Sequence, residues 1–129
     1  MRRFLKENVI RVLIVPVGIQ PYPCLIRNEL KAMRDIVRGN IEAFPLDSLE
    51  EGLNLFGGIA IINEDGKITP GIRPNRHVYH QGVLFGTFYG RFFICGSDEK
   101  GNFTSLDSRQ EAHYKQLFAA DALPGRRDT

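Results

Sequence analysis

Residues 63–76 read Asn63-Glu64-Asp65-Gly66-Lys67-Ile68-Thr69-Pro70-Gly71-Ile72-Arg73-Pro74-Asn75-Arg76, and they separate two apolar parts of the chain. The stretch begins as a turn, because Asp65-Gly66 is flanked by isoleucines on both sides. Glycine tolerates the positive φ of a tight hairpin turn, so this pattern predicts a β-hairpin. Further along, Pro70-Gly71 and Pro74-Asn75 interrupt every regular pattern. The chain is therefore predicted to leave a strand here, cross an irregular polar segment and enter a second strand region.

Apolar and β-branched runs on both sides of this stretch predict strands. Val9–Val15 consists almost entirely of such residues, which is typical of a buried strand. On the other side, Val83–Gly96 is rich in aromatic and aliphatic residues and is predicted as one long strand. Shorter strands are predicted at Cys24–Ile26, at Ile41–Pro45, and over Leu53–Asn63 with a break at Gly57-Gly58.

Two segments have the spacing of helices. Glu29–Arg38 carries apolar residues on one helical face, follows Asn28 as a favourable cap, and precedes Gly39, which suits a left-handed helix end. The second helix is predicted to begin at the capping-box pattern Ser108–Glu111 and to run to about Ala120.

Two helices separated by runs of strands predict the α+β class. The predicted architecture is a mixed or antiparallel sheet with the two helices packed on one face. No internal repeat or linker divides the sequence, so residues 1–120 are predicted as a single α+β domain. Residues 121–129 contain Pro124-Gly125 and are predicted to form a flexible C-terminal tail.

Composition excludes several classes of protein. With 43% hydrophobic and 25% charged residues, the chain has the composition of an ordinary globular protein and not of a disordered one. A formal net charge of +2 is too small to imply nucleic-acid binding by electrostatics alone, so nucleic acid is disfavoured as a partner. No apolar run approaches the roughly 18 residues that a membrane span needs, and no membrane association is expected.

The cysteines and the N-terminal sequence together predict a cytoplasmic protein. Cys24 and Cys95 lie far apart, each within an apolar segment, which predicts two buried and reduced thiols. The basic start Met1-Arg2-Arg3 and the apolar run after it have the outline of a secretory signal. However, Arg11 and Pro16 interrupt that run, so a first strand is the better interpretation.

Patterns of known catalytic sites are absent from the sequence. It contains no phosphate-binding loop, no dinucleotide fingerprint and no Gly-x-Ser-x-Gly motif. His77 and His80 are three residues apart, and on a helix they could share a metal ion. However, no third histidine is near and the segment looks irregular. The sequence therefore predicts no catalytic residue, no metal site and no cofactor.

Polar side chains accumulate in one segment between the buried strands, and we predict the binding site there. A rigid sheet would hold this loop, and such loops commonly bind ligands. Its arginines suit a phosphate or carboxylate, and Tyr79 or Phe85 could stack on a base. The predicted ligand-binding residues are Arg73, Asn75, Arg76, His77, Tyr79, His80 and Thr87. The alternative is a structural loop, in which asparagines close turns and Arg76 pairs with Glu64.

The order and spacing of several short segments resemble the domain-of-unknown-function family 3846, over nearly the whole chain. The segments are Val12–Val15, Ile36–Glu42, Asn63–Lys67, Pro74–Arg76, Gly86-Thr87 and Phe103–Leu106. The chain departs from the family pattern at Arg38, where a second glycine is expected, and at Ile72-Arg73, where the family is more apolar. The resemblance implies a setting in phages, plasmids and conjugative elements, whose small accessory proteins often counter host defence. It therefore also implies that the protein is located in the host cytoplasm.

These observations lead to a ranked set of functional hypotheses. The first is a non-enzymatic binding protein that counters host defence by sequestering a small anionic, nucleotide-like signal. The second is an inhibitor that binds a host protein directly through an edge strand or through Phe85–Phe93. A small hydrolase that uses Glu64, or His77 with His80, is the third, and an accessory role on DNA is the fourth. A homo-oligomer is compatible with all four.

Overall fold

The computed structural model describes residues 8–49 and 56–120, and regular structure dominates both ranges. The predicted tail, residues 121–129, lies outside these ranges, as do the first residues of the strand predicted over Leu53–Asn63. In chain order the elements are β1 (Val9–Val15), β2 (Tyr22–Arg27), α1 (Leu30–Val37), β3 (Ile41–Pro45), a 3₁₀ turn (Leu46–Leu49), β4 (Ile59–Asn63), β5 (Pro74–His80), β6 (Val83–Tyr89), β7 (Phe92–Ser97), β8 (Phe103–Thr104) and α2 (Ser108–Leu117).

The main sheet has the strand order β2-β1-β7-β4-β3, and the short strand β8 pairs with one end of β7. Every pairing is antiparallel. β7 lies at the centre of the sheet, and its residues Phe92–Gly96 are all buried, as expected for a strand that is apolar on both faces. The predicted α+β class and the antiparallel form of the sheet are confirmed.

The two helices pack on opposite faces of this sheet, so their predicted placement on one face is wrong. The apolar cluster that contains Met33 and Val37 of α1 also contains Ile10, Val12, Ile14, Phe93 and Cys95. The cluster that contains Tyr114 of α2 also contains Leu13, Val15, Phe92 and Ile94. Neighbouring residues of a strand point to opposite faces, and both faces of β1 and β7 are apolar. Each face of the sheet is therefore buried by a different helix, one by α1 and the other by α2.

β5 and β6 form a separate antiparallel hairpin that helps to cover the α2 face through Val78 and Phe88. The two residues of its turn, Gln81 and Gly82, have φ values of 53° and 79°. Positive φ at both central positions is the requirement of a two-residue type I′ turn. The single long strand predicted over residues 83–96 is wrong, because Gly90, at φ 77°, separates β6 from β7.

The hairpin predicted at Asp65-Gly66 does not form. β4 ends at Asn63 and does not pair with the chain that follows it. Ile68, expected to lie in the second strand of the hairpin, instead lies in a turn, with 77% of its surface exposed. The buried Asn63 amide donates to the carbonyls of Val37 and Arg38 at 3.1 and 3.2 Å, and its Oδ1 accepts from the backbone N–H of Asp65 at 2.8 Å. The turn is therefore fixed against the end of α1, a contact distant in sequence.

Both helices begin close to the predicted positions but with different caps. Glu29, and not Asn28, precedes α1, and it forms no side-chain cap. The Asn28 amide instead donates to the carbonyl of Phe103 at 2.9 Å. At α2, the capping box is formed by Asp107 and Gln110 in place of the predicted Ser108 and Glu111. This shift of one residue leaves the Glu111 carboxylate available for another contact.

Glu111 uses that carboxylate to join α2 to β1. Its Oε1 lies 2.8 Å from Nε of Arg11, and this hydrogen bond is the main cause of a lowered pKa for Glu111. Above the usual glutamate pKa of 4.5 the pair makes its full contribution to the stability of the fold. This contribution is lost as the pH falls through the lowered pKa of Glu111. The Arg11 side chain is 47% exposed, so solvent screens the pair.

We expect Glu111→Gln to lower the melting temperature at pH 7 by about 1–4 °C. The difference from the wild type should shrink as the pH is lowered from 5 to 3, because the wild type loses its ion pair in that window. Thermal melts recorded across this range test the expectation. Glu42→Gln is the matched control, since Glu42 is exposed on β3 and should leave the pH profile unchanged. If the melting temperatures of Glu111→Gln and the wild type differed by the same amount at every pH, the ion pair with Arg11 would not be the cause of the difference.

Candidate functional site

The seven predicted ligand-binding residues occupy three different environments. Asn75 and Arg76 are completely buried, with 0% exposure. His77 and Thr87 form a half-buried pair across the hairpin, and His80 is also half-buried. Arg73 and Tyr79 are exposed. The structure therefore does not bring the seven side chains together at one surface, and whether any of them binds a ligand stays a prediction.

Asn75 and Arg76 form a buried hydrogen-bond network. Asn75 is an extra residue in the β5–β6 ladder, between the pairs Pro74–Tyr89 and Arg76–Phe88. Such a bulge redirects side chains. The Asn75 amide donates to the carbonyls of Val15 and Gly90 at 2.9 and 2.8 Å.

The Arg76 guanidinium is bonded to neutral acceptors of four residues, which lie in three parts of the chain. Its donors reach the carbonyls of Phe118 at 3.0 Å, Ile19 at 2.7 Å and Pro16 at 3.4 Å, and also Oδ1 of Asn75. Burial lowers the pKa of Arg76. The predicted pairing of Arg76 with Glu64 is wrong, but the interpretation of Arg76 as a structural residue agrees with this network.

His77 and Thr87 lie beside an apolar groove between β5 and α2. The groove has a volume of about 130 Å³ and is lined by Leu49, His77, Val78, Tyr79, His113, Leu117 and Phe118. Nδ1 of His77 lies 2.9 Å from Oγ1 of Thr87, which holds the imidazole in one orientation. Because β5 is a strand, His77 and His80 point to opposite faces and cannot share one metal ion. Among the described residues, no group of three potential ligands could hold a metal.

A second pocket, at the end of α1, contains three arginines. It has a volume of about 240 Å³ and is lined by Pro16, Val17, Val37, Arg38, Gly71, Ile72, Arg73, Gly90 and Arg91. None of these residues is acidic. We call this concavity the arginine pocket. Arg73 was predicted as a ligand-binding residue, whereas Arg38 and Arg91 were not.

Local structure positions each arginine of the pocket. Arg38 ends α1 in the left-handed conformation, with φ 65° and ψ 43°, so the role predicted for Gly39 falls one residue earlier. Arg91 is held by hydrogen bonds from Nε to the carbonyl of Ile36 at 2.9 Å and from Nη2 to that of Asp35 at 3.4 Å. The carbonyl of Arg73 accepts from the N–H of Gly90 at 2.7 Å. Within residues 8–49 and 56–120, neither Arg38 nor Arg73 forms an ion pair.

The family model described as Domain of unknown function (DUF3846) matches residues 10–119, from β1 to the end of α2. The chain belongs to this family. No curated protein and no solved structure gives a significant match. In this DUF3846 chain the matched region includes the whole arginine pocket, the buried network and the groove beside α2.

The two cysteines of the DUF3846 chain differ in burial: Cys95 is buried as predicted, whereas Cys24 is half-buried, so its predicted full burial is wrong. Burial raises the pKa of Cys95 to about 12, so its thiol stays protonated at neutral pH and is a poor nucleophile. Glu64 is exposed, as expected for a turn carboxylate. No helix in residues 8–49 and 56–120 has the length and hydrophobicity needed to cross a membrane.

Proposed function

We propose that this DUF3846 chain is a non-enzymatic binding protein that captures a small anionic, nucleotide-like molecule in the arginine pocket. The observation that carries the proposal is the set of residues that line the pocket, which includes Arg38, Arg73 and Arg91 and no aspartate or glutamate. Three like charges repel one another, and an anion between them would relieve that repulsion. Guanidinium groups also present paired N–H donors that match the oxygens of a phosphate or a carboxylate.

The local backbone is compatible with an anion at this position. The pocket lies at the C-terminal end of α1, where exposed carbonyl groups would otherwise repel a negative charge. Arg91 donates to the carbonyls of Asp35 and Ile36, which reduces this repulsion. A volume of about 240 Å³ is enough for a phosphate group and part of the attached molecule, with the rest in solvent.

The biological setting is part of the same proposal. On this proposal, the protein acts in the cytoplasm of a host of phages, plasmids or conjugative elements, and its ligand is a small diffusible signal of a host defence system. A protein without catalytic activity would counter such a system by lowering the free concentration of its signal. The proposal therefore needs tight binding and no turnover of the ligand.

A panel of linear and cyclic nucleotides, screened by thermal shift, tests the proposal. A ligand at a concentration 100 times its Kd should stabilise the protein by about 2.7 kcal/mol, which is a rise of several degrees in melting temperature. Arg73→Ala should remove most of this shift while leaving the melting temperature of the free protein unchanged. Arg109→Ala is the control, because Arg109, in the first turn of α2, lies over the ring of Phe56 and outside the pocket. The absence of any shift across the panel would overturn the proposal.

Direct binding to a host protein is the second candidate, and the end of the β5–β6 hairpin favours it. Tyr79, Val83, Leu84 and Phe85 are each more than half exposed there, an unusual concentration of apolar surface. Phe85 is bulged out of the ladder, since Val78 pairs with Gly86 and Tyr79 with Leu84. A host protein that co-purifies with the wild type and with Arg73→Ala, but not with Leu84→Asp, would support this candidate over nucleotide capture.

A further inference from the structure

Arg38 occupies a backbone position that suits glycine better than arginine. Its φ of 65° and ψ of 43° lie in the left-handed region, where a Cβ atom is strained. Glycine is the usual residue at this position of a helix end, because it has no such strain. An arginine with this strained backbone therefore costs stability relative to glycine, and Arg38 is one of the residues that line the arginine pocket.

The supply of donors in the pocket exceeds what a singly charged anion needs. In the described part of the chain the guanidiniums of Arg38 and Arg73 have no hydrogen-bond partner, and Arg91 uses only Nε and Nη2. Each guanidinium carries five N–H donors. A terminal phosphate monoester offers three oxygens and a charge of about −1.5 to −2 at pH 7. A phosphodiester, including a cyclic one, offers two free oxygens and a single charge.

We infer that the arginine pocket selects ligands that end in a phosphate monoester over ligands whose phosphates are all diesters, and that Arg38 provides this selectivity. The inference rests on the proposed function. Three arginines line the concavity. A monoester can use all three, because its third oxygen and its second negative charge each pair with a guanidinium that a diester would leave without a partner. Arg38 is the residue assigned to this role because the fold would accept glycine in its place.

Isothermal titration with adenosine 5′-monophosphate and with its 3′,5′-cyclic form tests the inference, because the two share a base and a sugar. The wild type should bind the linear form at least about tenfold more tightly, as expected for an added charge-assisted hydrogen bond. Arg38→Gly should reduce this ratio to about one, while its melting temperature stays equal to that of the wild type or rises by about 1–4 °C. Inorganic phosphate is titrated as a probe without a base.

The possible outcomes separate the inference from the proposed function. Equal affinity of the wild type for the two nucleotides would overturn the inference, and so would an affinity ratio that Arg38→Gly leaves unchanged. Neither result would contradict the proposal that the pocket binds an anion. No binding of either nucleotide, of other members of the panel or of phosphate would overturn both. If Arg38→Gly were to melt well below the wild type, the claim that glycine fits this backbone would be wrong, and with it the special role of Arg38. Arg38→Lys keeps the positive charge but lacks the paired N–H donors of a guanidinium, so it should give an affinity ratio between those of the wild type and Arg38→Gly.

Discussion

Replacement of Arg76 by leucine is expected to lower the free energy of unfolding by about 3–5 kcal/mol. The substitution removes every donor that the guanidinium provides. It takes the partner from the buried carbonyl of Phe118 and from the part-buried carbonyls of Pro16 and Ile19 in the connection after β1. Each buried acceptor that loses its hydrogen bond costs about 1–3 kcal/mol, and the loss of a buried positive charge offsets part of the sum. Urea denaturation followed by circular dichroism measures the change through the midpoint at constant m-value.

Two further variants make the Arg76 prediction specific. Arg73→Leu removes an exposed arginine only three positions away and should change the unfolding free energy by no more than about 0.5 kcal/mol. Arg76→Lys keeps the charge, but a single ammonium group cannot reach all the acceptors that the guanidinium contacts. This variant should therefore recover less than half of the stability that Arg76→Leu loses. Stability of Arg76→Leu within 1 kcal/mol of the wild type would show that the buried network is not a major source of stability.

The substitution Gly58→Ala is expected to destabilise the fold by about 2–4 kcal/mol, because overpacking of a buried site forces neighbours out of their rotamers. A Cβ atom at Gly58 would lie 2.6 Å from Cζ and 2.7 Å from Oη of Tyr114. Tyr114 is fully buried, and its hydroxyl accepts a hydrogen bond from the N–H of Gly58 at 2.9 Å. The ring therefore cannot move away without losing both its packing and this bond.

The neighbouring glycine supplies the control for Gly58. Gly57 has φ 74° but open space around its Cβ position, so Gly57→Ala tests backbone strain alone and should cost about 1 kcal/mol. A double-mutant cycle with Tyr114→Ala isolates the steric term, since the ring that clashes is then absent. The double variant should be clearly more stable than the sum of the two single changes predicts. Strict additivity would mean that the clash with Tyr114 is not the cause.

Local sequence patterns predicted the elements of the fold better than their arrangement. β1 and α1 could be predicted because their patterns depend only on residues a few positions apart. The turn at Asp65-Gly66 was predicted as part of a hairpin because the sequence does not reveal the bond between Asn63 and the end of α1. The true hairpin turn has Gln81 at a positive φ, a position that usually takes asparagine, aspartate or glycine, so the local signal was weak.

The candidate site was only partly predictable for a similar reason. Arg73 was identified because it lies in a polar segment between strands, where binding residues are common. Arg38 and Arg91 come from the end of α1 and from the connection of β6 to β7, and only the fold brings them to Arg73. The inward direction of Arg76 depends on the bulge at Asn75, which no spacing pattern indicates. An arginine in a polar segment therefore has no predictable direction from sequence alone.

The Arg76 network also constrains the order in which a newly synthesised chain can fold. Its acceptors come from the connection after β1, from Asn75 and from Phe118, just beyond α2, so they span most of the matched domain. Until Phe118 has left the ribosome, Nε of the guanidinium has to remain hydrated, because its burial without the Phe118 carbonyl would be costly. The β5–β6 layer can therefore reach its final packing only after Phe118 has been synthesised, and an earlier collapse of this layer would leave one buried N–H of the cation without its acceptor.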